Sequence, residues 1–145
     1  MKKENDNIKF LNLIYQNAQM GLIGIDAVMD KVEDEEVAHL IKEQREEYEQ
    51  FCKDASTMLM EKYGVEEKEI GALQKLSSKL MSEAMTINKE DKNIVKLMME
   101  GNEKGVIAIQ EKLNMYKEED PDIVQLAEKL LATEEHNMEE FKQYL

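Results

Sequence analysis

The sequence is poor in the residues that punctuate a chain. Its 145 residues include one cysteine, one proline, six glycines and no tryptophan. The lone Cys52 excludes an internal disulfide and a cysteine metal cluster. Scarce proline and glycine argue against a turn-rich β fold. No stretch approaches the ~18 uninterrupted apolar residues of a membrane span. Basic residues number 19 against 32 acidic, a net charge of −13. That balance disfavours a broad nucleic-acid footprint, which needs basic surface to neutralise phosphates. It equally disfavours adhesion to an anionic membrane. No apolar run follows the opening Met1-Lys2-Lys3-Glu4-Asn5-Asp6-Asn7, so no signal peptide is expected and the expected location is cytoplasmic.

What the chain has is helical periodicity. Apolar residues make up 42%, and at this length roughly two thirds of the unfolded surface can be buried in one domain, 1–145. A stripe of Leu11, Ile14, Ala18, Leu22, Ile25 and Met29 predicts a helix over 8–32. The acidic stretch 33–36 suits a helix start. A second helix over 35–63 carries Val37, Leu40, Ile41, Tyr48, Phe51, Ala55 and Leu59, with Gly64 placed as its C-cap. A shorter amphipathic helix is expected over 66–87, through Leu73, Leu76, Leu80 and Ile87. Asn88 and Asp91 resemble a capping box for a helix over 89–116, whose stripe includes Val95, Met98, Val106, Ile109 and Leu113. Asp120-Pro121 is an N-cap followed by proline at the first helical position, opening a helix over 121–145.

The two halves resemble each other. Gln19-Met20-Gly21-Leu22-Ile23-Gly24-Ile25 aligns with Glu103-Lys104-Gly105-Val106-Ile107-Ala108-Ile109, and Leu40, Ile41 and Phe51 with Leu130, Leu131 and Phe141. Two long hairpins joined by a long connection give the expected fold: all-α, a ferritin-like four-helix bundle of two antiparallel hairpins with an additional helical crossover.

At ~100° per residue, some polar residues fall on the inward faces. Gln44, Asn102 and Glu134 lie near the centres of their stripes, and Glu47 and Asn137 nearer the edges. Gln44-x-x-Glu47 and Glu134-x-x-Asn137 are equivalent under the repeat, and the (i, i+3) spacing puts each pair on one helix face. Ferritin-like di-iron sites use one Glu from each of two helices and Glu-x-x-His from each of the other two. Here two carboxylates remain, no imidazole faces inward, and amides stand elsewhere. His39, within Glu36-x-x-His39, and His136 point away from the stripes and are expected at the surface. A rotated last helix would offer Glu103, Glu135 and His136 as a rival metal site.

No Lys or Arg lies on these stripes to pair with a buried carboxylate. Three solutions follow: a protonated Glu134 donating to the Gln44 or Asn102 carbonyl, a bridging water, or a cation held by Glu47, Glu134 and amide oxygens. Oxygen ligation selects hard ions such as Mg, Ca or Mn. The eleven methionines lie mostly on or beside stripes and read as core filling. The glycines within helices are not a phosphate loop, which needs a preceding strand; close helix approach is their expected role. No Ser/His/Asp, Cys/His or His-Glu-x-x-His arrangement appears.

Leu11-Asn12-Leu13-Ile14, the early Gly21, the acidic turn 33–36, Leu73-Gln74-Lys75-Leu76 with Leu80-Met81, and Glu100-Gly101-Asn102-Glu103 together resemble a family of bacterial ferritin-like proteins known only as a domain of unknown function. The resemblance spans nearly the whole chain. It implies a ferritin-like fold and a cytoplasmic bacterial protein, and it implies no activity. Rubrerythrin and ferritin carry full Glu and Glu-x-x-His sets, from which this sequence departs at most ligand positions.

The expectation is therefore a non-catalytic helical protein with a degenerate di-metal site. It would act by association with itself or a protein partner, with stress adaptation as the fold-level analogy. No cofactor is required. The first alternative is a metal-binding protein with Glu47, Glu134, Gln44, Asn102 and Asn137 around Fe, Mn or Mg. The second is a ferroxidase- or peroxidase-like oxidoreductase.

Overall fold

The computed structural model describes residues 2–71, 73–86, 90–117 and 119–145. Among them all regular structure is helical: α1 (Lys2–Val28), α2 (Glu35–Tyr63), α3 (Leu73–Thr86), α4 (Asp91–Met115) and α5 (Pro121–Phe141). Single 3-10 turns follow α1 at Met29–Lys31 and α5 at Lys142–Tyr144. The expected Asn88 cap, Ile87 and Glu118 lie outside the described residues, as do the side chains of Leu73 and Leu76. No helix among the described residues is long and apolar enough to cross a membrane.

Helix ends follow local chemistry. The Asp34 carboxylate accepts from the N–H groups of Glu36 and Val37, two donors that have no partner within the helix. At the other end of α2, Gly64 turns left-handed at φ 65°. That turn lets Gly64 N–H reach Met60 O and Val65 N–H reach Leu59 O. Asp120 caps α5 through Asp122 N–H, with Pro121 behind it. The start of α4 differs from the expected capping box. Glu90 is its N-cap and makes no side-chain bond. Asp91 instead reaches across to accept from Glu33 N–H at 3.1 Å and Asp34 N–H at 2.7 Å. The free backbone donors of the α1–α2 turn attract the carboxylate.

The crossover helix is shorter than expected. The periodicity predicts helix from 66, yet residues 64–70 form an irregular strap and α3 begins at Leu73. The reason lies on α1, which offers the strap other backbone partners. Asn12 Oδ1 accepts from Lys68 N–H at 2.7 Å. Gln16 Nε2 donates to Lys68 O at 2.7 Å, and Gln19 Oε1 accepts from Ile70 N–H at 3.3 Å. These side chains rise along α1 as the strap advances, so strap and helix run parallel.

Paired contacts fix the directions of the long helices. Asp26 meets Arg45, Gly21 meets Tyr48, and Tyr15 O meets Cys52 Sγ, so α2 runs antiparallel to α1. Asn7 with Tyr116 and Asn17 with Gly105 set α4 antiparallel to α1. Tyr48 with Glu134, Tyr63 with Asp120 and Tyr144 with Glu36 set α5 antiparallel to α2. The short turn after α4 returns α5 along it. Between these helices sits one apolar cluster, with Phe10, Ile14, Ile41, Leu59, Ile94, Ile109, Leu130 and Phe141 fully enclosed.

Candidate functional site

At mid-height this apolar interior is interrupted. Gln44 (2% exposed), Asn102 (3%), Glu134 (2%) and Asn137 (3%) are buried beside Tyr48 (4%). Tyr48 is the centre. Its hydroxyl donates to Glu134 Oε1 at 3.2 Å and accepts from Asn102 Nδ2 at 2.9 Å, joining α2, α4 and α5. The Tyr48–Glu134 pairing sets Gln44 level with the turn of α5 that bears Asn137. The approach of Gly105 to Glu134 sets Asn102 at that same level. All five polar side chains thus share about one helical turn of the interior.

Two glycines shape this layer. A Cβ on Gly21 would lie 2.5 Å from the Tyr48 ring, and one on Gly105 would lie 2.4 Å from the Glu134 carboxylate. Both lie inside contact distance, so a methyl at either glycine would have to displace the Tyr48 ring or the end of the Glu134 side chain. Just outside, Asn17 Nδ2 donates to Gly105 O at 3.1 Å and fastens α1 to α4 there.

The electrostatics follow from burial. Removal from water pushes the Glu134 carboxyl up to about 8, and the donating Tyr48 hydroxyl offsets only part of that. Burial and the adjoining Glu134 push Tyr48 well up too. Glu134 is therefore neutral at pH 7. Glu47 is only half-buried. Burial raises its carboxyl, opposed first by the Asn137 amide and then by His136. The Asn137 amide lies against Glu47 and favours its charged form, although outside strict hydrogen-bond geometry.

Four buried polar atoms in this layer have no protein partner: Gln44 Nε2, Asn137 Nδ2, Asn102 Oδ1 and Glu134 Oε2. Such atoms are rare in a folded interior. The donor set does not fit a di-metal centre. Two of the four atoms are amide nitrogens, which present N–H to whatever lies between them and oppose a cation. One carboxylate is buried where a ferritin-like pair needs four. Among the described residues, no group of three or more His, Cys, Asp or Glu side chains is placed to hold a metal ion.

The rival trio does not gather inside. Glu103, Glu135 and His136 are all exposed, and His136 meets Glu140 at 3.5 Å. His39 is likewise exposed against Glu43 at 2.8 Å. Cys52 is half-buried under the strap, its thiol pushed up to about 11 by burial and neighbouring carboxylates, which leaves it protonated and unreactive. By position Tyr48 is an apolar stripe member, and periodicity carries no sign of its hydroxyl's role. The available signal was a phenol one turn after an inward Gln on a helix facing an inward Glu. Comparison with protein-family models, curated proteins and solved structures found no match.

Proposed function

We propose that the chain is a ferritin-like four-helix bundle of two antiparallel hairpins with a crossover strap and helix, and that it works without metal chemistry, by association through its surface. The helix directions support the architecture. Neighbouring long helices are antiparallel, and a long crossover joins α2 to α4, as in ferritin-like folds. The observation that carries the functional reading is the interior. The Glu134 carboxyl at its centre is neutral at pH 7 and bonded to a phenol, and both histidines face outward. Among the described residues, no group of three or more His, Cys, Asp or Glu side chains gathers there to hold a metal.

Function then falls to the surface. α3 packs against α1 and leaves Met81 43% and Met85 75% exposed, while Met20 on α1 is 40% exposed. Flexible, polarisable methionines suit an adaptable protein contact. Like charge of −13 keeps copies of the chain apart at low salt, and salt screens that repulsion. Sedimentation velocity at raised ionic strength is the test. Self-association that weakens in Met81→Ser/Met85→Ser supports this face as the contact. A monomer at every concentration refutes self-association and leaves a partner of another kind. The metal alternatives at Glu47 and Glu134 predict near-stoichiometric Fe, Mn or Mg that disappears in Glu134→Gln, and elemental analysis decides between them and this reading.

A further inference from the structure

The course of the crossover is set by one glycine and a few side chains of α1. Gly64 turns the chain at the end of α2 with φ 65°, which a residue with a Cβ adopts only at a cost. Beyond it, Val65-Glu66-Glu67-Lys68-Glu69-Ile70 is not helical, although glutamate and lysine are among the better helix formers. Its backbone is bonded to α1 instead. Lys68 N–H donates to Asn12 Oδ1, Gln16 Nε2 donates to Lys68 O, and Ile70 N–H donates to Gln19 Oε1. A tertiary contact therefore keeps these residues from continuing α2. The bonds that join the two hairpins lie elsewhere. Tyr48 with Glu134, Tyr63 with Asp120, Asn17 with Gly105, and Asp91 with the N–H groups of Glu33 and Asp34 all pair the first hairpin with the second. None of them involves the strap, and each would form as well with a second hairpin supplied by another copy.

We propose that Gly64 and residues 65–70 are a hinge, and that its opening exchanges hairpins between two copies of this chain. With the hinge straight, α2 gains the six strap residues and runs ~9 Å past its present end. The strap's climb along α1 from Asn12 to Gln19, ~10 Å at the helical rise, is given up as well. Asp91 is anchored at the opposite end, in the α1–α2 turn, so the crossover loses about 20 Å of reach toward it. The α4–α5 hairpin of each copy then closes the α1–α2 hairpin of the other, and reciprocal closure makes a two-fold dimer. The polar layer becomes shared, with Gln44 and Tyr48 from one copy and Asn102, Glu134 and Asn137 from the second. In the closed chain the second hairpin is tethered, at an effective concentration on the order of millimolar, which favours the monomer in dilute solution. The exchange does not rest on the methionine face, which requires no opening of the fold.

The test is sedimentation velocity on full chains refolded from urea over a range of concentrations. Gly64→Ala biases the hinge, and no atom lies within 4 Å of the added Cβ, so the change acts through the backbone alone. It removes the cost of a glycine inside a helix and adds the cost of a Cβ in the turn, together about thirtyfold per hinge and about a thousandfold for the two hinges of a dimer. Dimer should accordingly form at about a thousandfold lower concentration than in wild type. It should carry more helix than the monomer by circular dichroism, and it should persist in Met81→Ser/Met85→Ser. Differently labelled chains should mix only when refolded together, because exchange requires the hairpins to separate. A second variant, with Glu66, Glu67 and Lys68 deleted, shortens the crossover by about 10 Å and should be dimeric at every concentration. Folded monomers from both variants at every concentration overturn the exchange. A dimer whose chains mix without unfolding, or that Met81→Ser/Met85→Ser abolishes, overturns it too and assigns the association to the surface.

Discussion

Replacing Glu134 by Gln should stabilise the protein above neutral pH. The native carboxyl titrates at about 8, against an ordinary glutamate value of 4.5, because burial disfavours its charged form. Below about pH 4.5 both native and unfolded chains hold the proton, and stability is fully expressed. Between 4.5 and 8 the unfolded chain has released the proton and the native chain has not. Stability then falls by a little over 1 kcal/mol per pH unit, with a ceiling on the order of 5 kcal/mol across the window. Above about 8 the native carboxyl ionises as well and the loss is complete. Gln has the shape of the protonated side chain, still accepts from Tyr48, and never ionises. Urea unfolding of wild type and Glu134→Gln at intervals from pH 4 to pH 9 measures the effect, with equal m-values as the control for two-state behaviour. Subtracting the two curves cancels the other carboxylates and the general repulsion of an acidic chain. The wild-type advantage should shrink across the window and be flat outside it. A difference independent of pH, or one rising with pH, would refute the buried neutral carboxyl.

Four further outcomes follow from the packing. Gly21→Ala should cost about 1–3 kcal/mol in a denaturant melt, because its Cβ would collide with one side of the packed Tyr48 ring. Gly101→Ala, mid-helix with open space around the new methyl, should instead gain up to about 1 kcal/mol in the same melt. Asp120→Ala removes the cap of α5 and the partner of Lys62 and Tyr63, and should lower stability by about 2–3 kcal/mol. Burial alone would raise the Asp120 carboxyl, but Tyr63 and Lys62 outweigh it and hold it below the ordinary range, so this contribution is lost as the solution is made more acid through that value. Asn12→Ala should speed amide exchange at Lys68 and cleavage within 64–70, with little change in global unfolding, since the strap is held by exposed bonds.

The legible parts of the fold were those decided by neighbours in sequence. The acidic stretch 33–36, Gly64 and Asp120-Pro121 mark helix ends by local backbone chemistry, and α2 spans the expected residues. The strap was not legible, because Glu66 to Ile70 suit a helix until Asn12, Gln16 and Gln19 compete for their backbone groups, 51 to 56 residues away. In the polar layer, helical phase placed Gln44, Asn102 and Glu134 inward. It set Glu47 and Asn137 alike at the stripe edges, whereas Asn137 is buried and Glu47 half-buried. Phase alone does not say how far a neighbouring helix overhangs an edge. Tyr48 and Tyr116 show a second blind spot. Each counts as apolar by position, yet each hydroxyl ties helices together, Tyr116 between Asn7 and the Asp120 N–H.

The position of α1 bears on how the chain comes into being. It touches α2, α3, α4 and α5, and it carries Phe10, Leu11, Ile14, Ala18 and Ile25 into the core. A ribosome releases this helix before any of its covers. The first shelter is α2, which can fold back as soon as it emerges. Asn17 waits for Gly105, and Asn7 for Tyr116, until the fourth helix has left the tunnel. At a synthesis rate of ~5–20 residues per second, that interval lasts several seconds. Throughout it, the nascent α1–α2 pair presents an uncovered apolar seam, a natural substrate for a chaperone that grips hydrophobic surface at the tunnel exit.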